Sequence, residues 1–169
     1  VRAFNFKQKK DMDVYATSRV QEALIREYPY VFSDFKYPGV PQVKLHTIDA
    51  DNSFQIGDIK LQPIEVMHYK LPVLGFRIND FVYITDANFI RPEGKEKIKG
   101  CKKLVLNALR KTKHISHFNL EEAVSLSKEL GAEQTYLTHI SHLMGTHESV
   151  SEELSEGVQI AYDGFVIKT

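Results

Sequence analysis

Residues 103–142 read KLVLNALRKTKHISHFNLEEAVSLSKELGAEQTYLTHISH. The opening KLVLNA has the length and apolar density of a buried strand. NLEEAVSLSKELG is a helix, with Asn119 as its cap, Glu122 at the capping-box position and Gly131 at C′. QTYLT is the next strand. In such a strand–helix–strand unit the helix N-terminus and the C-terminal ends of both strands lie at one edge of the sheet. The tetrapeptide HISH occurs twice, at 114–117 and 139–142, in surroundings too different for an internal repeat. His117 stands just before the helix cap and His139 directly after the second strand. The two copies therefore converge on the edge where ligands sit in open α/β sheets.

Two more candidates come from upstream. Residues 12–16 (MDVYA) read as a strand and 17–28 (TSRVQEALIREY) as a helix, capped by Thr17 or Ser18 and apolar along Val20, Leu24 and Ile25. Residues 28–42 hold three prolines and five aromatics and predict an ordered loop. From 43 to 86 the pattern is β, with Asn79-Asp80 as a two-residue hairpin signal. Asp86 follows the strand FVYIT, and His68 lies in the turn MHYKLP. Because residues 73–79 run antiparallel to 82–85, that turn and Asp86 fall at the same end. A short helix at about 146–156 and a closing hairpin around Asp163-Gly164 complete the chain. The organisation is α/β, part antiparallel and part βαβ.

His68, Asp86, His117 and His139 can thus line one edge, and neutral imidazoles with a carboxylate are a ligand set for zinc or manganese. Each taken alone has an ordinary explanation. A histidine at a loop end is more often a surface residue than a ligand, and an Asp after a strand often forms a turn. His46 sits within a strand as a packing or exposed residue, and His114, among lysines, reads as solvated. His142 and His147 read as neighbours of the site or as fillers of the SHLMGTH turn. A four-histidine structural zinc site of His114, His117, His139 and His142 is the weaker alternative, since such sites usually contain cysteine.

Composition bounds the rest. At 169 residues the chain predicts one well-cored domain, spanning 1–169. Lys+Arg and Asp+Glu balance at 22 each, so no net field draws the chain to nucleic acid or an anionic membrane. A single cysteine, Cys101, excludes an intrachain disulfide and fits a reducing compartment. No apolar run approaches the roughly 18 residues of a membrane span, and no signal-peptide pattern is present. The expected location is the cytoplasm.

The segments PIEVMHYKLPVLGFRI, FVYITDAN, SHFNLEEAVSLSKEL and YLTHISH, in this order and spacing, resemble the metallo-β-lactamase superfamily, in the branch of the phosphoribosyl cyclic phosphodiesterase and the ribonuclease Z-like phosphodiesterases. The resemblance runs from about residue 60 to the end. It implies an αββα sandwich of mixed sheets flanked by helices. It implies His68 as a ligand of a first metal, Asp86 as a bridge between two, and His139 as a ligand of the second. His117 would lie beside the substrate phosphate as the catalytic residue. The implied activity is metal-dependent hydrolysis, foremost of a small phosphodiester, by a hydroxide activated between two Zn²⁺ ions, with Mn²⁺ as an alternative. Other ester or thioester substrates, and a non-catalytic module of the same fold, are the competing readings.

One departure stands out. The superfamily's His-x-His-x-Asp-His motif is absent, and no two histidines are spaced i, i+2. In the family that motif precedes a segment like VRAFNF, the first six residues here. The expectation is therefore the C-terminal portion of a longer hydrolase, with N-terminal strands missing. Such a portion would be inactive alone, hold no metal or one weakly bound ion, and pair its exposed strands in a homo-oligomer.

Overall fold

The computed structural model describes residues 1–168, which divide into two compact units, residues 1–52 and 53–168. In the first unit, helix α1 (Arg2–Gln8) leads into strand β1 (Met12–Ala16), helix α2 (Ser18–Glu27), the short helix α3 (Pro29–Phe32) and strand β2 (Val43–Thr47). β1 and β2 pair in parallel, from Met12↔Val43 to Ala16↔Thr47, with α2 in the crossover. The strand and helix expected at 12–16 and 17–28 are both present. One expectation needs correction: the aromatic loop contains α3, begun by Pro29, whose fixed φ suits a first helical turn.

The second unit is built on a mixed sheet. Its strands are β3 (Phe54–Ile56), β4 (Ile59–His68), β5 (Leu71–Ile78), β6 (Phe81–Ile84), β7 (Phe89–Ile90), β8 (Lys103–Asn107), β9 (Gln134–Thr138) and β10 (Val158–Ile160). The spatial order is β10-β9-β8-β6-β5-β4-β3, and β7 also pairs with β4. Helices α4 (Pro92–Ile98), α5 (Leu120–Leu130) and α6 (His147–Ser151) complete it. The stretch 53–67, whose sequence SFQIGDIKLQPIEVM reads as one β segment, is two strands, because Gly57 takes φ 57° and turns the chain back, so that Phe54 pairs Leu61. His68 is the last residue of β4, not a turn residue. Asn79 does make the β5–β6 turn, with φ 52° and Ile78 paired to Phe81. The expected closing hairpin does not form: residues 162–165 make a turn, while β10 pairs in parallel with β9 and buries Ile160.

β4 and β5 are antiparallel, as are β5 and β6, whereas β6, β8 and β9 are mutually parallel. The C-terminal ends of β4, β6, β8 and β9 therefore share one edge. Beneath that edge Ile84, Leu104, Leu106 and Leu137 are completely buried, with Ala123, Leu126 and Leu130 of α5 packed over them. Burying each such leucine or isoleucine contributes about 1.5–3 kcal/mol relative to exposure. α5 is closed at both ends as its sequence requires. Asn119 Oδ1 accepts from the Glu122 N–H, Glu122 Oε2 accepts from the Asn119 N–H, and Gly131 takes φ 69°. Gly75 allows β5 and β6 to meet closely, since a Cβ there would lie 2.7 Å from Ile84 Cγ1 and 2.9 Å from the Tyr83 carbonyl oxygen. No helix among the described residues is long and apolar enough to cross a membrane.

Candidate metal centre

Four segments meet at the shared edge, and each carries one of the expected side chains. β4 ends in His68. The loop after β6 carries Asp86, the loop before α5 carries His117, and the residue after β9 is His139. All four come together. His117 Nε2 lies 3.2 Å and His139 Nε2 3.5 Å from Asp86 Oδ1. The His117 ring packs edge-on against His68, with centroids 4.7 Å apart, and stacks on His139 at 4.8 Å. Donor atoms of His68, Asp86 and His117 all lie within 4.8 Å of one another.

The backbone is bent to make this possible. Asp86 and His139 both occupy the left-handed region, at φ 56° and 61°, which non-glycine residues rarely adopt. At Asp86 the parallel ladder between β6 and β8 ends at Ile84↔Leu106, and a side chain takes over. The completely buried Asn107 accepts the Ala87 N–H on Oδ1 (2.9 Å) and donates Nδ2 to the Ala87 carbonyl (2.9 Å). That carbonyl also accepts the Phe118 N–H at 2.8 Å, which ties the Asp86 turn to the His117 loop.

Electrostatics follow from the packing. Burial raises the Asp86 carboxyl. The hydrogen bond from His117, the charge of His139 and the Thr85 hydroxyl outweigh that, so the group sits below its ordinary value. The His117 imidazole is also pushed down, first by burial and then by His139 and His68, against the pull of Asp86. The packing therefore favours the neutral form of His117, which faces the Asp86 carboxyl.

His114 departs from its expected solvated state. It is half-buried, and its Nδ1 lies 3.2 Å from His117 Nδ1 and 3.3 Å from Ser116 Oγ. Ser116 Oγ is in turn 2.9 Å from His117 Nδ1. Flanking lysines suggested solvent, but the i, i+3 spacing of His114 and His117 was the overlooked signal. Asn107 was missed too, although a polar residue ending an apolar strand is a sign of a buried contact. His142 is exposed, and the only group of donor atoms within mutual reach among the described residues is His68, Asp86 and His117, so the four-histidine arrangement is not the one formed.

A family model described as a beta-lactamase superfamily domain matches residues 1–140. The crystal structure of a diphosphatase from the PhnP family superposes with a TM-score of 0.84 at 29% identity, covering 95% of this chain and 59% of that one. The metallo-β-lactamase fold protein YhfI of Bacillus subtilis gives 0.73 at 20% identity over 97% of this chain and 68% of its own, a likeness of fold. Among curated proteins, an octanoyltransferase of Porphyromonas gingivalis is 34% identical over 156 residues, 92% of this chain. The chain spans 32% of that relative's length and 59% of the diphosphatase's.

Proposed function

The chain belongs to the β-lactamase superfamily domain family, and from that premise we propose that the protein of which it forms part is a metal-dependent hydrolase of a small phosphodiester. The observation that carries this reading is the likeness to the PhnP-family diphosphatase, at 29% identity over 95% of the chain. The donor set supports it. Two imidazole nitrogens and a carboxylate oxygen within 4.8 Å, with His139 at 3.5 Å from the same carboxylate, suit zinc or manganese. The resemblance assigns His68, Asp86 and His139 as ligands, whereas the group of donors within 4.8 Å holds His117 in place of His139. We follow the resemblance and test the choice by metal content. Divalent cations held there supply Lewis acidity toward phosphate oxygens and lower the pKa of a water molecule.

His117 takes a different role in this reading. Its Nδ1 is engaged by Ser116 and His114, which orients the ring and leaves Nε2 facing the site. With one nitrogen so held, its Nε2 can hydrogen-bond a phosphate oxygen, and once the ring has gained a proton beside the anionic substrate the imidazolium can pass it to the leaving oxygen. The balanced charge of the chain favours a small substrate over a long nucleic acid. Three ligands and a water molecule complete the shell of one four-coordinate ion and cannot hold two tightly, so we expect at most one zinc per chain after dialysis, measured by elemental analysis. Two tightly held ions would refute that expectation.

The activity test uses the full-length protein and bis-p-nitrophenyl phosphate. His139→Ala is expected to abolish turnover by removing a ligand. His117→Ala is expected to slow it with metal content unchanged. Metal loss in His117→Ala would make that residue a ligand, and full activity in His139→Ala would overturn the assignment. An octanoyl ester or thioester is the second substrate class to assay. One observation favours it, the name octanoyltransferase on a relative 34% identical to the chain.

A further inference from the structure

Asn88 stands two residues after Asp86 and reaches the segments that carry His68 and His117. Its backbone N–H donates to the Met67 carbonyl (2.8 Å), and its Oδ1 accepts the Tyr69 N–H (2.7 Å). These contacts grip the chain on both sides of His68, where Tyr69 is itself bent to φ 57°. Its Nδ2 donates to the Ile115 carbonyl (3.2 Å), between His114 and His117. Asp86 is already fixed from behind by Asn107, so the Asp86–Asn88 segment is a rigid base from which one amide holds the other two loops.

We propose that Asn88 is a positioning residue that sets the placement of His68 and His117 against Asp86. Their rings meet at 4.7 Å between centroids, yet they arrive from the end of β4 and from the loop before α5. The Phe118 N–H on the Ala87 carbonyl ties the His117 loop to the Asp86 turn, and the Asn88 side chain is the group that bonds both that loop and the residue after His68. An amide is the group that fits, because the Tyr69 N–H needs an acceptor and the Ile115 carbonyl needs a donor. The effect on metal affinity rests on the function proposed above; the effect on the rings does not.

The test separates the two hydrogen bonds. Asn88→Ala removes both. Asn88→Asp keeps an acceptor for Tyr69 and loses the donor to Ile115. In the ¹⁵N-labelled protein, Asn88→Ala should lose hydrogen-exchange protection at the Tyr69 amide and the nuclear Overhauser contact between the His68 and His117 rings. Asn88→Asp should keep the Tyr69 protection and weaken the ring contact. Zn²⁺ affinity, by competition with a chromophoric chelator, should fall about 10–100-fold in Asn88→Ala while the metal-free melting temperature stays near that of the parent. An unchanged ring contact in Asn88→Ala overturns the proposal, as does a loss that merely follows a lowered melting temperature. If Asn88→Ala does not fold, Asn88→Asp decides alone, since an unweakened ring contact there refutes the tie to Ile115. If the parent binds no zinc but its ring contact depends on Asn88, the positioning role stands and the metal reading falls.

Discussion

The two units of this chain use similar residues to different effect. In residues 53–168 the apolar side chains close over one another: Ile64, Val82, Ile84, Leu104, Leu106 and Leu137 have no exposed surface. In residues 1–52 the buried apolar side chains among the described residues are Val31 and Ile48, while Phe35 is 96% and Tyr37 81% exposed. Both units contain a parallel strand pair with a helix in the crossover. The difference lies in what covers the strands. β8 and β9 lie within a broad sheet roofed by α5, whereas β1 and β2 form a sheet of two. A parallel pair needs neighbours and cover on both faces before its apolar residues leave water. The strained backbone at Asp86 and His139 is found in the unit that can stabilise it, because only a well-packed surround keeps such conformations populated.

Breaking that contrast should give unequal costs. Leu137→Ala opens a cavity beneath the candidate site and should destabilise the protein by about 2–5 kcal/mol in urea unfolding followed by circular dichroism. The corresponding truncation on α2, Val20→Ala, removes methyls from a side chain already 47% exposed and should stay within about 0.5 kcal/mol. Equal costs would show that the first unit is packed as tightly as the second. Asn119→Ala should cost about 1 kcal/mol, since it leaves the Glu122 N–H without its side-chain acceptor at the start of α5. No measurable change would mean that water replaces the cap.

The smallest effect belongs to the first unit. His46 Nε2 lies 2.6 Å from Asp13 Oδ1, and its ring stacks on Tyr15. The hydrogen bond with His46 holds the Asp13 carboxyl below its ordinary value, helped by the charges of His46, Lys10 and Lys44. A carboxyl depressed in the folded state adds stability above its unfolded value, near 3.9, and loses it as pH falls through the folded value. The difference in urea midpoint between the parent and Asp13→Asn should therefore be present at pH 5 and shrink toward pH 3. A difference that widened on acidification would show that the pair is held by something other than the carboxylate's charge.

Much of the second unit could be read from the chain because its signals are local. The capping box of Asn119 and Glu122, Gly131 at the helix end and Asn79 at the β5–β6 turn each act over a few residues, and each is found where expected. The convergence of His68, Asp86, His117 and His139 was also legible, since strand direction alone places them at one edge. The division of 53–67 into two strands was less so: Gly57 marks a turn, but the flanking apolar pattern runs through it without a break.

By itself, then, the sequence determined the βαβ unit, the edge at which the imidazoles gather and the resemblance that names the family. Those follow from periodicity, caps and strand direction, which are properties of neighbouring residues. Only the tertiary structure decided that His114 turns inward against His117, that Asn107 replaces a rung of the β6–β8 ladder, and that Asn88 links three loops. These contacts join residues 19, 20 and 27 positions apart, or depend on how a loop packs. A side-chain amide finds its backbone partners only once the strands beneath have fixed where those partners lie.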